Sequence, residues 1–491
     1  MKPIQISREE YRDKVYACWL GKNIGGTLGM PYECNKAKQS LTFYDPLPED
    51  SAPNDDLDMQ IVWLQMMRER GLYPTLTDFS EYWIKHLSPY PWCEYGFCRR
   101  NFERGLRPPM SGAFENYFID EMGSPIRSEI WACVAPGDPQ LAAALSWNDA
   151  ILDHAGGEGV YGEMFWAAIE SAAFVISDPR VLLQIGLDMI PLWSRISRVV
   201  REAIWCRDND ISWDEARERV LKGFGHDSPC HAPQNHGFTI IGWLYGEDFG
   251  DKLCKAVNCG YDTDCTGATL GSVLGIIGGT AAIPQQWQDP VGDTIVLHRY
   301  TAALDCAKNV GELTDHTVEI AEQMLAERSD VSSFGDATVL PDNALSLLSR
   351  NEKALLTLTR DPLSTIVTQD GYDLALHYSG EPVLRPGVEK IVGVSVRKDD
   401  RPVPAAVHLT APVGWTVERV ADLMGQTRFK LSAPAVPDLN DVTVTATADG
   451  KSLSGVFRML GPGEAKGFPV RTNVPTCPKC WARIEACVCE E

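Results

Sequence analysis

The chain has 491 residues, too many for one ordinary hydrophobic core, so two or three domains are expected. Hydrophobic residues make up 44% and charged residues 23%, as in globular proteins, while the formal charge of −22 argues against a general binder of nucleic-acid polymers or anionic membranes. It does not exclude a small phosphorylated ligand, which needs only a local set of donors. No run of about 20 apolar residues occurs, so no transmembrane helix is expected. The opening "MKPIQISREEYRDKVY" carries no apolar signal core, which makes a cytoplasmic location the expectation. Of the 15 cysteines, eleven are scattered, such as Cys18, Cys133 and Cys206, and read as reduced, buried small apolar side chains.

In chain order, "SREEYRDKVYACWLGKNIGG" predicts a helix opened by a Ser7/Glu10 capping box, with Tyr11, Val15, Cys18 and Trp19 on one face. A second amphipathic helix is predicted from Asp58 to Arg70, through Met59, Val62, Trp63, Met66 and Met67. "GVYGEMFWAAIESAAFVIS" and "VLLQIGLDMIPLWSRISRVVREAIW" have helical period and good helix formers. "TDCTGATLGSVLGIIGGTAAIP" reads as a buried helix stopped before Pro284. Residues 1–335 are therefore expected to be all-α. Beyond a linker at 336–370, segments such as "EKIVGVSVRKDD", "TRFKLSA" and "DVTVTATADGKSLSGVFRML" alternate apolar and polar residues between turn signals, so 371–465 is expected to form a small all-β, Ig-like sandwich. Residues 466–491 form a separate tail.

Two paired-carboxylate turns carry the chemistry. In "PNDDLDMQIVWL", Asp55 and Asp56 precede a helix; in "NCGYDTDCTGATLGSVLGIIGG", Asp262 and Asp264 precede another. Taken singly, each pair is ordinary helix capping, which satisfies free N–H groups and meets the positive end of the dipole. Taken together, four carboxylates converging in one bundle repel unless cations lie between them, and hard oxygen donors suit magnesium, manganese or calcium. "GGTLGMPYE" places Glu33 after a glycine-rich helix end, which by itself is a C-cap with an exposed acid.

The order of these elements resembles the ADP-ribosylglycohydrolase family: a glycine-rich turn ending in Pro-x-Glu, an Asp-Asp turn with Met two places on, and Gly-x-Asp-Thr-Asp before a Gly/Ala-rich helix ending in Ile-Pro. The resemblance covers about residues 10–330. It implies an orthogonal all-α bundle with one or two magnesium ions in a central cleft, and hydrolysis of the bond between ADP-ribose and a side chain or small acceptor. It implies that Glu33, Asp55 and Asp56 are catalytic and that Asp55, Asp56, Asp262 and Asp264 bind metal. It also places Ser124 and Arg127 of "GSPIRSEIW", and His154, beside the ligand. Three departures from the family stand out. Asn54 replaces a threonine, although its carbonyl oxygen can still ligate a hard cation; Gly26 replaces an aspartate; Cys265 replaces a hydroxyl residue, and a neutral thiol is a poor magnesium ligand. The implied mechanism has metals polarising water or ribose hydroxyls, with Glu33 or Asp55 as general acid or base at an oxocarbenium-like transition state.

Between 90 and 160, Trp92 and Asn116 are candidates to meet a sugar or base, against a simple packing role. His231, Asn235 and His236 read as loop residues rather than zinc ligands, for want of a third partner. The tail "CPKCWARIEACVCEE" sets Cys477, Cys480, Cys487 and Cys489 in a spacing that suits a structural zinc ion, against disulfides or a disordered tail. The expected protein is a metal-dependent hydrolase of an N- or O-glycosidic bond acting on a small or ADP-ribosylated substrate. A nucleoside, an ordinary glycoside or a catalytically silent binding role are the alternatives, and the oligomeric state is open.

Overall fold

The computed structural model describes residues 2–49, 51–91, 93–301 and 304–465. A helical part comes first and two antiparallel sheets follow. A short strand, Ile4–Ser7, opens the chain and pairs in parallel with Ser332–Gly335, which ties the start of the helical part to its end. Helix α1 (Arg8–Gly29) then begins at Ser7, whose hydroxyl accepts from the Glu10 amide at 3.4 Å. The reciprocal half of the expected capping box is taken over by Thr338. The Thr338 hydroxyl accepts from the Ser7 amide and donates to the Glu10 carboxylate.

Helix α2 (Asp55–Arg70) starts three residues earlier than its apolar period suggested. The long apolar segment after residue 180 divides into two helices, Pro179–Asp188 and Arg195–Asp208. Pro191 interrupts the backbone ladder, and Ser194 caps the second helix by accepting from the Ser197 amide at 3.0 Å. The glycine-rich helix Thr263–Gly278 stops at Gly279, whose φ of +65° is open to glycine at little cost.

That helix packs on α1 along matched glycines. A Cβ added at Gly21, Gly25 or Gly29 would stand 2.2, 1.9 or 2.1 Å from the carbonyl oxygen of Gly271, Gly267 or Thr263. Gly275 meets Ala17 in the same way. The stripe thus lets two backbones touch. It also brings the end of α1, with Glu33, against the start of the second helix, with Asp262 and Asp264.

The β part has one sheet in the order Ser364–Gln369, Tyr372–His377, Lys390–Lys398, Gln426–Ser432, Thr416–Leu423, with Arg401–Val403 also on Lys390–Lys398. The other runs Lys451–Leu460, Leu439–Ala448, Ala406–Thr410. Leu374, Val392, Val394 and Phe429 from the first share a core with Val442, Leu453 and Phe457 from the second. Residues 336–370 hold the helices Ala344–Leu348 and Glu352–Thr357 as well as the first strand of the larger sheet. The two parts are continuous in packing. Leu106, Met110 and Phe114 of the helical part enter the β core, the Ile366 amide donates to the Pro108 carbonyl at 3.1 Å, and Arg104 pairs with Glu464 at 3.1 Å. The tail cysteines Cys477, Cys480, Cys487 and Cys489 lie outside the described residues.

Candidate functional site

The loop after α1 is zipped to the approach of the glycine-rich helix. Cys34 N–H donates to the Tyr261 carbonyl and Tyr261 N–H to the Asn35 carbonyl, both at 2.8 Å. Glu33 therefore sits beside Asp262 and Asp264, and its carboxyl is raised above the usual range, first by burial and then by the charge of Asp55.

The carboxylates do not act as caps. Asn54 and Asp262 hold the N-cap positions of their helices, and neither side chain makes a capping bond. Asp56 is 2% exposed and its Oδ2 has no hydrogen-bond partner; Asp262 Oδ2 and Asp264 Oδ1 are likewise buried and unpartnered. Donor atoms of Asp56, Asp264 and Cys265 lie within 4.8 Å of one another, with the Cys265 thiol 3.8 Å from Asp56 Oδ1. Burial, then the charge of Asp264, pushes Asp56 well above the usual carboxylate range; burial, then the charges of Asp262 and Glu33, does so to Asp264, and burial does the same to Asp262. Asp55 is raised as well, chiefly by burial. Buried carboxylate oxygens with no hydrogen-bond partner fit a bound cation far better than a folded core, where such atoms cost free energy.

Lys22 supplies one fixed positive charge behind this cluster. It is fully buried, donates to the Ile126 carbonyl and to Glu129 Oε1, both at 2.9 Å, and its charge draws Asp56 partly back down. Gln60 ties the same Glu129 to the backbone carbonyl of Asp56. Neither Lys22 nor Glu129 was singled out by the sequence, because their partners come from distant segments. Asp58 was missed for the same reason. Its Oδ2 accepts from the His298 amide and the Thr301 hydroxyl, both at 2.6 Å, anchoring that loop on α2, and burial lifts its pKa to about 7.

The two departures at Asn54 and Gly26 meet in space. Asn54 Nδ2 lies 3.1 Å from the position of a Cβ on Gly26 and donates to Asn23 Oδ1 at 3.3 Å. The amide thus fills room that the missing side chain leaves.

On the other side, Ser124 is fully buried with an unpartnered hydroxyl. Arg127 is fully buried and its guanidinium is held by Asp149 and Asp153, each at 2.9 Å. His154 Nδ1 meets Asp153 Oδ1 at 2.6 Å, and its Nε2 lies 3.6 Å from Glu94 Oε1. Arg127 is thus enclosed by its two aspartates, and Asp153 links it to His154 and Glu94. Glu94 was not singled out by the sequence; burial lifts it to about 7 and its Oε2 has no partner. Asn116 donates to the Gly112 and Asp153 carbonyls and accepts from the Phe118 amide, so its amide group is consumed in loop packing. Trp92 lies outside the described residues.

The structure also finds His231 partners. Donor atoms of Glu121, His226 and His231 lie within 4.8 Å of one another. The Ser228 amide donates to His226 Nδ1 at 2.9 Å, which leaves the proton on Nε2, and the Ser228 hydroxyl donates to Glu121 Oε2 at 3.0 Å. Ser228 thus bridges His226 and Glu121, while His231 Nε2 is buried without a hydrogen-bond partner. A metal on His226 Nε2 requires the opposite tautomer. His236 Nδ1 meets the Ala232 carbonyl at 2.7 Å, and burial lowers the ring's pKa to about 4.

A helical bundle that converges buried acids from two helix starts defines the class of protein. The particular family follows from comparison: residues 7–328 match the ADP-ribosylglycohydrolase family model, and the chain belongs to that family. An uncharacterised protein from Archaeoglobus fulgidus is 24% identical over 307 residues, 60% of this chain and 96% of its own length. A solved structure described as an ADP-ribosylglycohydrolase-related protein complex is 18% identical, with a TM-score of 0.42, over 64% of this chain and 99% of that one. Among the described residues, no helix is long and apolar enough to cross a membrane.

Proposed function

We propose that this glycohydrolase-family protein is a metal-dependent enzyme that cleaves an N- or O-glycosidic bond, with ADP-ribosylated compounds as its substrates. One observation carries the reading. Asp56 and Asp264 bring carboxylate oxygens within 4.8 Å of each other, each of them and the nearby Asp262 has a buried, unpartnered oxygen, and the charges of Glu33 and Asp55 act on Asp264. Asp55, Asp56, Asp262 and Asp264 would hold the cation, with Asn54 as a candidate carbonyl donor. The bound cation supplies charge neutralisation and polarises an oxygen of water or substrate. Glu33 and Asp55, both raised by burial, hold or take a proton at the glycosidic oxygen or nitrogen. Negative charge around them favours positive charge developing on the sugar. Arg127 fixes Asp153 and thereby His154, while the buried, unpartnered hydroxyl of Ser124 is assigned to the substrate side.

A second reading, a nucleoside or ordinary glycoside on the same fold, is favoured by the changed residues Gly26, Asn54 and Cys265. We further propose an Ig-like arrangement for the two sheets, a structural zinc ion on Cys477, Cys480, Cys487 and Cys489, and a cytoplasmic location. The test is hydrolysis of one mixed panel with and without added divalent cation: ADP-ribosyl-arginine, ADP-ribosyl-serine, common nucleosides and aryl glycosides. Cation-dependent release of ADP-ribose supports the first reading, and release of free sugar alone supports the second. No turnover of any member, with ligand binding retained after Asp55→Ala, refutes both and leaves a silent binding protein.

A further inference from the structure

The donor set at the carboxylate centre is not the all-oxygen set that magnesium requires. Cys265 lies on the first turn of the glycine-rich helix, 7% exposed, with its sulfur 3.8 Å from Asp56 Oδ1. Its sulfur belongs to the same group of close donor atoms as Asp56 and Asp264. Two donors on one tetrahedral zinc, with Zn–S near 2.3 Å and Zn–O near 2.1 Å, stand about 3.6 Å apart. The observed spacing is close to that value. The unpartnered carboxylate oxygens of Asp56 and Asp264 supply the oxygen donors.

The adjacent hydroxyl does not replace the sulfur. Thr266, one place on, donates its hydroxyl to the Thr263 carbonyl at 3.1 Å, within the helix's own backbone. Asn54 turns its amide nitrogen to Asn23. Magnesium holds to near-octahedral oxygen coordination and gains nothing from sulfur, whereas zinc, cobalt(II) and iron(II) accept mixed sulfur and oxygen donors.

We infer that this centre takes a thiophilic divalent cation in preference to magnesium, with Cys265 as a direct sulfur ligand beside Asp56 and Asp264. The inference rests on the reading of the cluster as a metal centre. Binding forms one metal–sulfur bond, breaks the thiol S–H bond and releases that proton to solvent, with no change of oxidation state.

The test uses the full-length chain, stripped by chelator and titrated with cobalt(II), zinc and magnesium, beside Cys265→Thr and Cys265→Ser. Both series are repeated with Cys477→Ser and Cys480→Ser, so that thiolate absorption from the tail is subtracted. Any ordinary site prefers zinc to magnesium, so the change on substitution is the decisive quantity. In the parent chain, cobalt is expected to give a near-ultraviolet thiolate charge-transfer band that both Cys265 variants lose. The ratio of zinc to magnesium affinity is expected to fall at least about tenfold in Cys265→Thr. An unchanged band and an unchanged ratio overturn the sulfur ligand while leaving the metal centre standing. Failure of every cation to bind in a manner sensitive to Asp264→Asn overturns the metal-centre reading, and this inference with it.

Discussion

Gly25→Ala tests the contact that builds the site. Gly25 is an interior residue of α1, so intrinsic propensity alone favours alanine by about 1 kcal/mol. The structure predicts the opposite sign. The new Cβ would lie 1.9 Å from the Gly267 carbonyl oxygen and 2.3 Å from its carbon. Real Cβ atoms essentially never approach within 3.0 Å, so the two helices must part by about 1 Å along a stripe that has no flexible side chain to yield. Overpacking costs about 1–3 kcal/mol where side chains can adjust, and backbone against backbone belongs at or above the top of that range. The net effect is a loss of about 2 kcal/mol or more, or roughly 3 °C in melting temperature for a helical domain of this size, at about 2.1 cal/mol/K per residue. Gly223→Ala is the matched control, since its Cβ on the helix Trp213–Phe224 meets nothing within 4 Å. It is expected to be neutral or to raise the melting temperature. Calorimetry of both variants decides the matter, and a rise in both would refute the close-packing account. The same parting displaces Asp262 and Asp264 from Glu33 at the end of α1, so cation binding should weaken in Gly25→Ala and not in Gly223→Ala.

In metal-free protein, Asp264→Asn removes one of the mutually repelling buried charges, so the melting temperature should rise while the cation-induced increase disappears. In the parent chain the stabilisation by bound cation should approach about 2.7 kcal/mol at a hundredfold excess over Kd. Glu158 caps the helix Arg195–Asp208 by accepting from the Ile196 amide at 2.9 Å, and burial raises it from 4.5 to about 7. The folded state therefore holds this proton more tightly than the unfolded one. Its contribution is fully present below about pH 4.5 and is lost as the pH rises through about 7, by up to roughly 3 kcal/mol. Urea unfolding of Glu158→Gln should show that slope removed. Arg127→Met leaves Asp149 and Asp153 buried without their shared cation and should cost about 3–5 kcal/mol in denaturant unfolding, far more than a surface arginine.

What was legible in the sequence was local. The aspartate pairs at helix starts, the glycines spaced one turn apart and the alternation after residue 390 all declare themselves within a few neighbours. The break at Pro191 and the strand Ser364–Gln369, which falls in the expected linker, were equally local, and an Asp370-Gly371 hairpin signal joins that strand to Tyr372–His377 at the start of the expected β region. The helical period upstream and the shortness of that strand obscured them. The rest was not written locally. Nothing near Lys22 indicates Glu129, and nothing near Asp58 indicates His298 and Thr301, because tertiary packing alone brings those segments together. Cys265 was legible as a departure from its family, but its approach to Asp56 emerged only with the fold.

Gly26 and Asn54 give the sharpest case of such non-local information. Each departs from the resemblance, and in space each explains the other: the amide of one occupies the neighbourhood of the absent side chain of the other, with 3.1 Å between them. Restoring aspartate at 26 alone crowds Asn54. Restoring threonine at 54 alone removes the amide and leaves a gap beside the bare helix. The double variant Gly26→Asp/Asn54→Thr removes both faults, so the changes should couple. Residues in contact show interaction energies of about 0.5–3 kcal/mol, and a coupling of at least about 1 kcal/mol favouring the double variant is expected here. A double-mutant cycle of unfolding free energies, measured with saturating magnesium and without it, reads this directly. Additivity within about 0.5 kcal/mol in both conditions would mean that the two substitutions arose independently, and that their proximity is not a repacking of one site. Coupling that grows with magnesium would mean that the pair traded an oxygen ligand set for a different cation environment.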